Sequence, residues 1–136
     1  MTKNIASRVL LRDTKTKKML AVYTTHLFWN PNFQNVKYFQ ITNLLQKIHQ
    51  IDGKDIPFVL MGDFNCIPRY IAMSIFDRKA PAYNMLERTR NYQVVLKDIS
   101  KIYEAFNLKI LDDLEPINAY KNYKGDIEDQ ESGNRV

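Results

Sequence analysis

Cysteine is nearly absent from this chain: Cys66 stands alone among 136 residues. That excludes an internal disulfide, argues against a disulfide-linked partner, and fits a reducing compartment. Long apolar runs are absent too. None approaches the roughly 18 residues of a membrane span, so no membrane partner is expected. The stretch from Met1 to Ser7 is polar and does not read as a secretory leader, which places the expected protein in the cytoplasm or the nucleus. No internal repeat is visible. Only two histidines occur, His26 and His49. Neither sits in a recognisable thiol-protease context, so Cys66 reads as an inert small residue.

What is present is enough for a folded domain. The chain is 45% hydrophobic and 12% aromatic, which excludes disorder as its dominant state, and its length suits one ordinary domain. The net charge of +5 is unevenly spread. Residues 1–50 carry eight Lys/Arg against one acid, whereas residues 101–136 carry five against eight acids. A basic front suits a polyanion such as RNA, although charge alone is equally met by a solvated Lys-rich surface and an acidic tail.

Taken in order, Ile5 to Arg12 and Met19 to Thr25 read as strands joined across the polar turn Asp13 to Lys18, a hairpin. The second strand closes at Thr25-His26-Leu27. An aromatic loop follows, Phe28-Trp29-Asn30-Pro31-Asn32-Phe33. Asn35 is the expected cap of a helix whose core side holds Val36, Ile41, Leu44, Leu45, Ile48 and Ile51, with Lys37, Asn43 and Lys47 mostly off it. Asp52 to Asp55 end that helix. The next strand is then expected to run parallel to the second strand in one sheet, since the helix is its crossover. Beyond it, Tyr70 to Asp77 reads as a short helix ended by Pro81, and Val94 to Phe106 as a helix buried through Val95, Ile99, Ile102 and Phe106. Lys109 to Leu111 and Pro116 to Tyr120 read as short strands. Residues 121–136 read as a polar, acidic tail or loop without order, leaving 1–120 as the domain.

The stretch around which these elements are organised is Ile56-Pro57-Phe58-Val59-Leu60-Met61-Gly62-Asp63-Phe64-Asn65. Its continuous apolar run predicts a central strand covered on both faces. Pro57 sits where a missing N–H costs little. Gly62 permits a tight turn or a close approach. Asp63 and Asn65, two apart, face one spot in an extended backbone, at the C-terminal strand edge where α/β sheets build their sites. Asp and Asn are also common turn residues after a strand, so on these residues alone a turn and a site are equally good readings.

The string Thr25-His26-Leu27-Phe28-Trp29-Asn30-Pro31, then Val36-Lys37 and Gln40, then Gly62-Asp63-Phe64-Asn65 with Pro68, resembles the endonuclease/exonuclease/phosphatase superfamily. Within it, the resemblance is to the carbon catabolite repressor-type deadenylases and their Angel-like and fungal Ngl-type relatives. It runs from about residue 4 to residue 76, and Ile117-Asn118-Ala119-Tyr120 adds a weaker echo. The resemblance implies part of a four-layer α/β/β/α sandwich, truncated at both ends. It implies a metal-dependent 3′-to-5′ exoribonuclease acting on single-stranded RNA 3′ ends, with Mg²⁺ or Mn²⁺ as cofactor. A phosphatase or phosphodiesterase of the same fold, and a non-catalytic remnant with weak RNA binding, are the alternatives.

Carried over residue by residue, the resemblance makes Asp63, Asn65 and His26 catalytic. Asp63 takes the proton of the attacking water, Asn65 holds that water or a phosphate oxygen, and His26 meets the developing charge of the scissile phosphate. Trp29, Asn30 and Pro31 shape the nucleotide pocket. No direct metal ligand is assigned, and Asp63 reaches the ion through water. The family's upstream Asn and Glu ligands, its later Asp and its C-terminal His have no counterpart here. The 136 residues are therefore expected to be inactive alone and to need missing segments or a protein partner. Lys124 to Glu128 carries no role.

Overall fold

The structure, a computed structural model, describes residues 5–66, 71–77, 81 and 91–117. The expectations for Tyr70, Pro68, 118–120, 121–136 and the Lys124 to Glu128 stretch lie outside these residues. The elements run β1 (Ala6–Arg12), β2 (Met19–His26), α1 (Gln34–Asp52), β3 (Phe58–Asp63), a 3₁₀ segment (Ile71–Asp77), α2 (Tyr92–Ala105) and α3 (Lys109–Leu114). This is a mixed α/β arrangement around a three-stranded sheet ordered β1-β2-β3.

The hairpin forms as its polar turn predicts. The Asp13 carboxylate accepts from the backbone N–H groups of Lys15 and Thr16, and Lys17 takes a positive φ to close the loop. The β1–β2 ladder is antiparallel from Ala6↔Thr25 to Arg12↔Met19. β3 then adds to β2 in parallel, from Ala21↔Phe58 to His26↔Asp63, as the intervening crossover helix requires. Pro57 precedes β3, and its carbonyl accepts from Ala21 N–H at 3.0 Å. The missing proline donor therefore costs the ladder nothing.

Four expectations are corrected. β3 is not covered on both faces: among the described residues it pairs only with β2, and Val59 and Met61 are exposed. Asn35 does not cap α1. The helix begins at Gln34 after Phe33 without a side-chain cap, and the Asn35 amide instead donates to Asp98 on α2 at 3.0 Å. The core stripe of α1 is rotated from the expected one. Lys37, Tyr38, Ile41, Leu45 and Ile48 are buried, while Ile51 is exposed and Val36 half-buried. The large Tyr38 ring needs cover, and the stripe 38, 41, 45, 48 keeps the same 3-4 spacing as the expected one. Finally, Lys109 to Leu111 belongs to a helix, not a strand. Ile110, Leu111 and Leu114 are all buried on one side of α3, and the Asn107 side chain accepts from Lys109 N–H at its start.

One cluster joins the elements. Ala21 and Tyr23 of β2 meet Tyr38, Ile41, Leu45 and Ile48 of α1. Ile71 and Ile75 of the 3₁₀ segment, Val95 and Ile99 of α2, and Leu111 of α3 complete it. Ile102 packs at its margin and Phe106 is buried, as expected from their spacing, and Phe76 packs beside them. A polar bridge pins the start of the sheet to the end of α1. Arg8 on β1 and Tyr23 on β2 both donate to the Asp52 carboxylate, and Arg8 Nε also donates to the Tyr23 hydroxyl oxygen at 3.1 Å.

Among the described residues no element covers the other face of the sheet. Register places Val9, Leu11, Leu20, Val22, Val59 and Met61 on one side, because directly opposed residues share a face. Val9, Leu11, Val59 and Met61 are each exposed by two-fifths or more.

Candidate functional site

The site is built where β2 and β3 end together. The last rung of the parallel ladder pairs His26 with Asp63, and Leu27 N–H continues it by donating to Asp63 O at 2.9 Å. His26 Nε2 lies 3.8 Å from Asp63 Oδ2, with both side chains largely in solvent. The same strand alternation that bares Val59 and Met61 puts this pair at the end of the bare face.

Gly62 makes the approach possible. Its φ is +133°, and a Cβ there would stand 2.0 Å from Thr25 O. No side chain fits between these backbones, so glycine is needed for the rung that brings His26 to Asp63.

Asn65 then fixes the turn. Its φ is +49°, a conformation that asparagine tolerates better than most residues. Its backbone N–H donates to Asp63 Oδ1 at 2.8 Å, so the two residues form an Asx turn. Its side-chain amide donates to Leu27 O at 3.0 Å. The turn and the site are therefore one object: the bonds that shape the turn also orient Asp63 and couple β3 to the aromatic loop.

That loop is held from several sides. Phe28 N–H donates to the Gln40 side chain at 3.0 Å, and the Gln34 amide donates to Pro31 O at 2.9 Å. Asn30 Oδ1 accepts from Asn32 N–H at 3.0 Å, so this oxygen is committed to the loop. Phe28 packs edge-on to Phe33 with centroids 5.6 Å apart. Trp29 is left 66% exposed, a flat surface beside the strand ends, and Pro31 is exposed next to it.

One residue of the resembling string takes a place that was not foreseen. Lys37, expected off the core side of α1, is fully buried and its ammonium donates to Asn65 O at 2.7 Å. Its position was legible in the spacing, since it stands four residues before the buried Ile41. Burial holds its pKa below the usual lysine range, with Cys66 and Asp63 pulling weakly the other way. Burial also pushes the Cys66 thiol up to about 11, which suits an inert residue.

Among the described residues, the cations of the basic front are not gathered here. Arg8 is engaged by Asp52, and Lys37 is buried. Arg12, Lys15, Lys17 and Lys18 sit at the hairpin turn, the opposite end of β2 from His26, about 23 Å away at the rise of a strand. A groove of about 840 Å³ runs along the outer edge of β3, lined by Phe58, Leu60, Phe64 and Phe76 among others. Neither His26 nor Asp63 lines it.

The donor set does not fit a magnesium centre by itself. Among the described residues no group of three His, Cys, Asp or Glu side chains converges. One oxygen of Asp63 is already taken by Asn65 N–H, whereas Mg²⁺ takes near-octahedral oxygen coordination.

Comparison with known proteins shows what this strand end and loop are similar to. No family model matches the chain. The curated proteins it resembles include carbon catabolite repressor 4 and Angel proteins, so the motif resemblance is borne out. Carbon catabolite repressor protein 4 homolog 3 of Arabidopsis thaliana is 36% identical over 91 residues, covering 63% of this chain and 18% of that protein. The CCR4-Not complex 3′-5′-exoribonuclease subunit Ccr4 of Kluyveromyces lactis is 37% identical over 73 residues, covering 46% of this chain and 9% of its own length. Protein angel homolog 2 of Bos taurus is 40% identical over 57 residues, 39% of this chain and 10% of that protein. The chain thus spans less than a fifth of the length of these relatives.

Proposed function

We propose that this chain carries part of the active site of a 3′-to-5′ exoribonuclease of the poly(A)-deadenylase type. The observation that carries the reading is the His26–Asp63 rung, clamped to the aromatic loop through Asn65. Asp63 is the proton acceptor for the attacking water, and Asn65 holds that water or a phosphate oxygen. His26 stabilises the charge that grows on the phosphate. Trp29 offers a stacking surface for a base, with Pro31 beside it. Asn30 acts through the loop it braces.

Mg²⁺ or Mn²⁺ belongs to this proposal only with ligands from beyond the described residues, Asp63 contributing through water. For the same reason the described residues by themselves are proposed not to turn over. The apolar face left open among the described residues, and the single strand that pairs with β3 there, favour the four-layer sandwich, with a second sheet laid over Val9, Leu11, Val59 and Met61. The reading places the protein with RNA in the cytoplasm, and its Kluyveromyces relative's name supports partners of the CCR4-Not kind.

Two measurements test the reading. Trp29 is the only tryptophan, so its fluorescence reports the loop directly. Oligoadenylate is expected to quench it, with a midpoint that weakens as salt rises. For the chemistry, the matching stretch of the Kluyveromyces subunit is exchanged for that of this chain. The chimera should shorten a labelled oligoadenylate, and Asp63→Ala within it should lower turnover by at least about 10². Full turnover in that variant rejects Asp63 as the proton acceptor.

A further inference from the structure

We propose that Lys37 is the positioning residue of the Asp63–Asn65 turn: a buried ammonium that clamps the Asn65 carbonyl and so sets how Asp63 and Asn65 face a substrate. The role in catalysis rests on the functional reading above, but the clamp itself does not.

The starting point is a cost. A buried charge is expensive unless paired, and Lys37 is fully buried. Among the described residues it makes no ion pair, and its hydrogen bond goes to a neutral carbonyl, Asn65 O, at 2.7 Å. An apolar side chain on α1 would cover the core at lower cost. A cation placed under one carbonyl therefore points to what that carbonyl belongs to.

Asn65 is held at three points, each from a different element. Its N–H is bonded to Asp63 Oδ1 at the end of β3, its amide nitrogen to Leu27 O after β2, and its carbonyl to Lys37 on α1. Removing the last of these frees the peptide that carries the positive φ of Asn65. The Asx turn then loses the support that keeps Asp63 Oδ1 on Asn65 N–H. The Asn65 side-chain oxygen is not used in these three bonds and is oriented by them. Lys37 cannot touch a substrate itself, because its side chain is covered. Its influence is passed through the geometry of Asn65 and through its charge behind Asp63, whose field it feels.

The test uses the full chain labelled with ¹⁵N and ¹³C, unmutated and as Lys37→Met. Methionine keeps the length and apolar stem but donates no hydrogen bond. In Lys37→Met the β2–β3 ladder should keep its protection from hydrogen exchange, while the Asn65 backbone and side-chain amides exchange at least about tenfold faster. Oligoadenylate should shift the Asn65 side-chain amide signals in the unmutated chain. It should fail to do so in Lys37→Met, while still quenching Trp29 with a midpoint within about twofold of the unmutated chain. A purely structural lysine would weaken the ladder along with the turn and leave no such split. Unchanged Asn65 exchange in Lys37→Met overturns the clamp. If Lys37→Met does not fold, the unmutated chain decides, since a clamp requires scalar coupling across the bond from Lys37 Nζ to the Asn65 carbonyl carbon, and its absence overturns the proposal. Absent Trp29 quenching in the unmutated chain rejects the functional reading instead, and exchange at Asn65 still decides the clamp.

Discussion

Gly62→Ala is expected to destabilise the chain by about 3–5 kcal/mol, a large share of the stability of a domain of this size. Two costs add. The backbone at Gly62 has φ +133°, a region that only glycine enters without strain. The added methyl would also meet three backbone atoms of Thr25, the nearest 2.0 Å from the methyl position. Those atoms belong to the neighbouring strand and cannot rotate away as a side chain can. The ladder must therefore open at its last rungs, separating His26 from Asp63 before it separates Ala21 from Phe58. Gly53→Ala is the control. That glycine also has a positive φ, +60°, but its Cβ would find nothing nearer than His49 O at 3.9 Å. It should cost about 1 kcal/mol, from conformation alone. Urea melts followed by circular dichroism compare the two. Equal midpoints for both variants would show that the β2–β3 approach is looser than described.

Asp52→Ala is expected to cost about 2–4 kcal/mol. The carboxylate is fully covered, and it accepts from Arg8 on β1 and Tyr23 on β2. Alanine leaves the Tyr23 hydroxyl without its acceptor and Arg8 without its counter-charge. The pH dependence follows from the same contacts. The Arg8 guanidinium, and secondarily the Tyr23 hydroxyl, hold the Asp52 carboxyl below the usual carboxylate range against the opposing effect of burial. A lowered folded pKa means stability that is fully present above the unfolded value of about 3.9 and is lost as pH falls through the lower folded value. Melts of the unmutated chain should therefore weaken below about pH 4, and Asp52→Ala should flatten that part of the curve. An unchanged acid limb in the variant would assign the acid sensitivity to other carboxylates.

The hairpin, the crossover helix and the order of strand and loop were legible in the sequence, because each is written in local chemistry. Asp13 to Lys18 could only be a turn, and the run from Gln34 to Asp52 repeats apolar residues at helical spacing. Glycine before Asp63 and asparagine after it also announced an unusual strand end. The identity of Asp63 and Asn65 was sufficient to mark the spot, though not to choose between a turn and a site. The structure shows that the turn's own hydrogen bonds orient the residues of the candidate site.

Other features were missed in the sequence or could not be read from it. The apolar run Phe58 to Met61 looks the same whether one face or two are covered, since cover is supplied by distant segments. Lys37 looked like a surface lysine because charge outweighs spacing in a local reading, yet its helical phase with Ile41, Leu45 and Ile48 carries it into the core. The same limit applies to Asp52 and Arg8, which are 44 residues apart and become partners only when α1 lies across the sheet. Local sequence was enough for the hairpin, its turn and the crossover helix, because backbone preference and apolar period act over a few residues, but not for α3, whose short apolar run read equally well as a strand. Tertiary structure alone decided which charges are buried and what they hold, because desolvation and partnership depend on groups brought together from far along the chain.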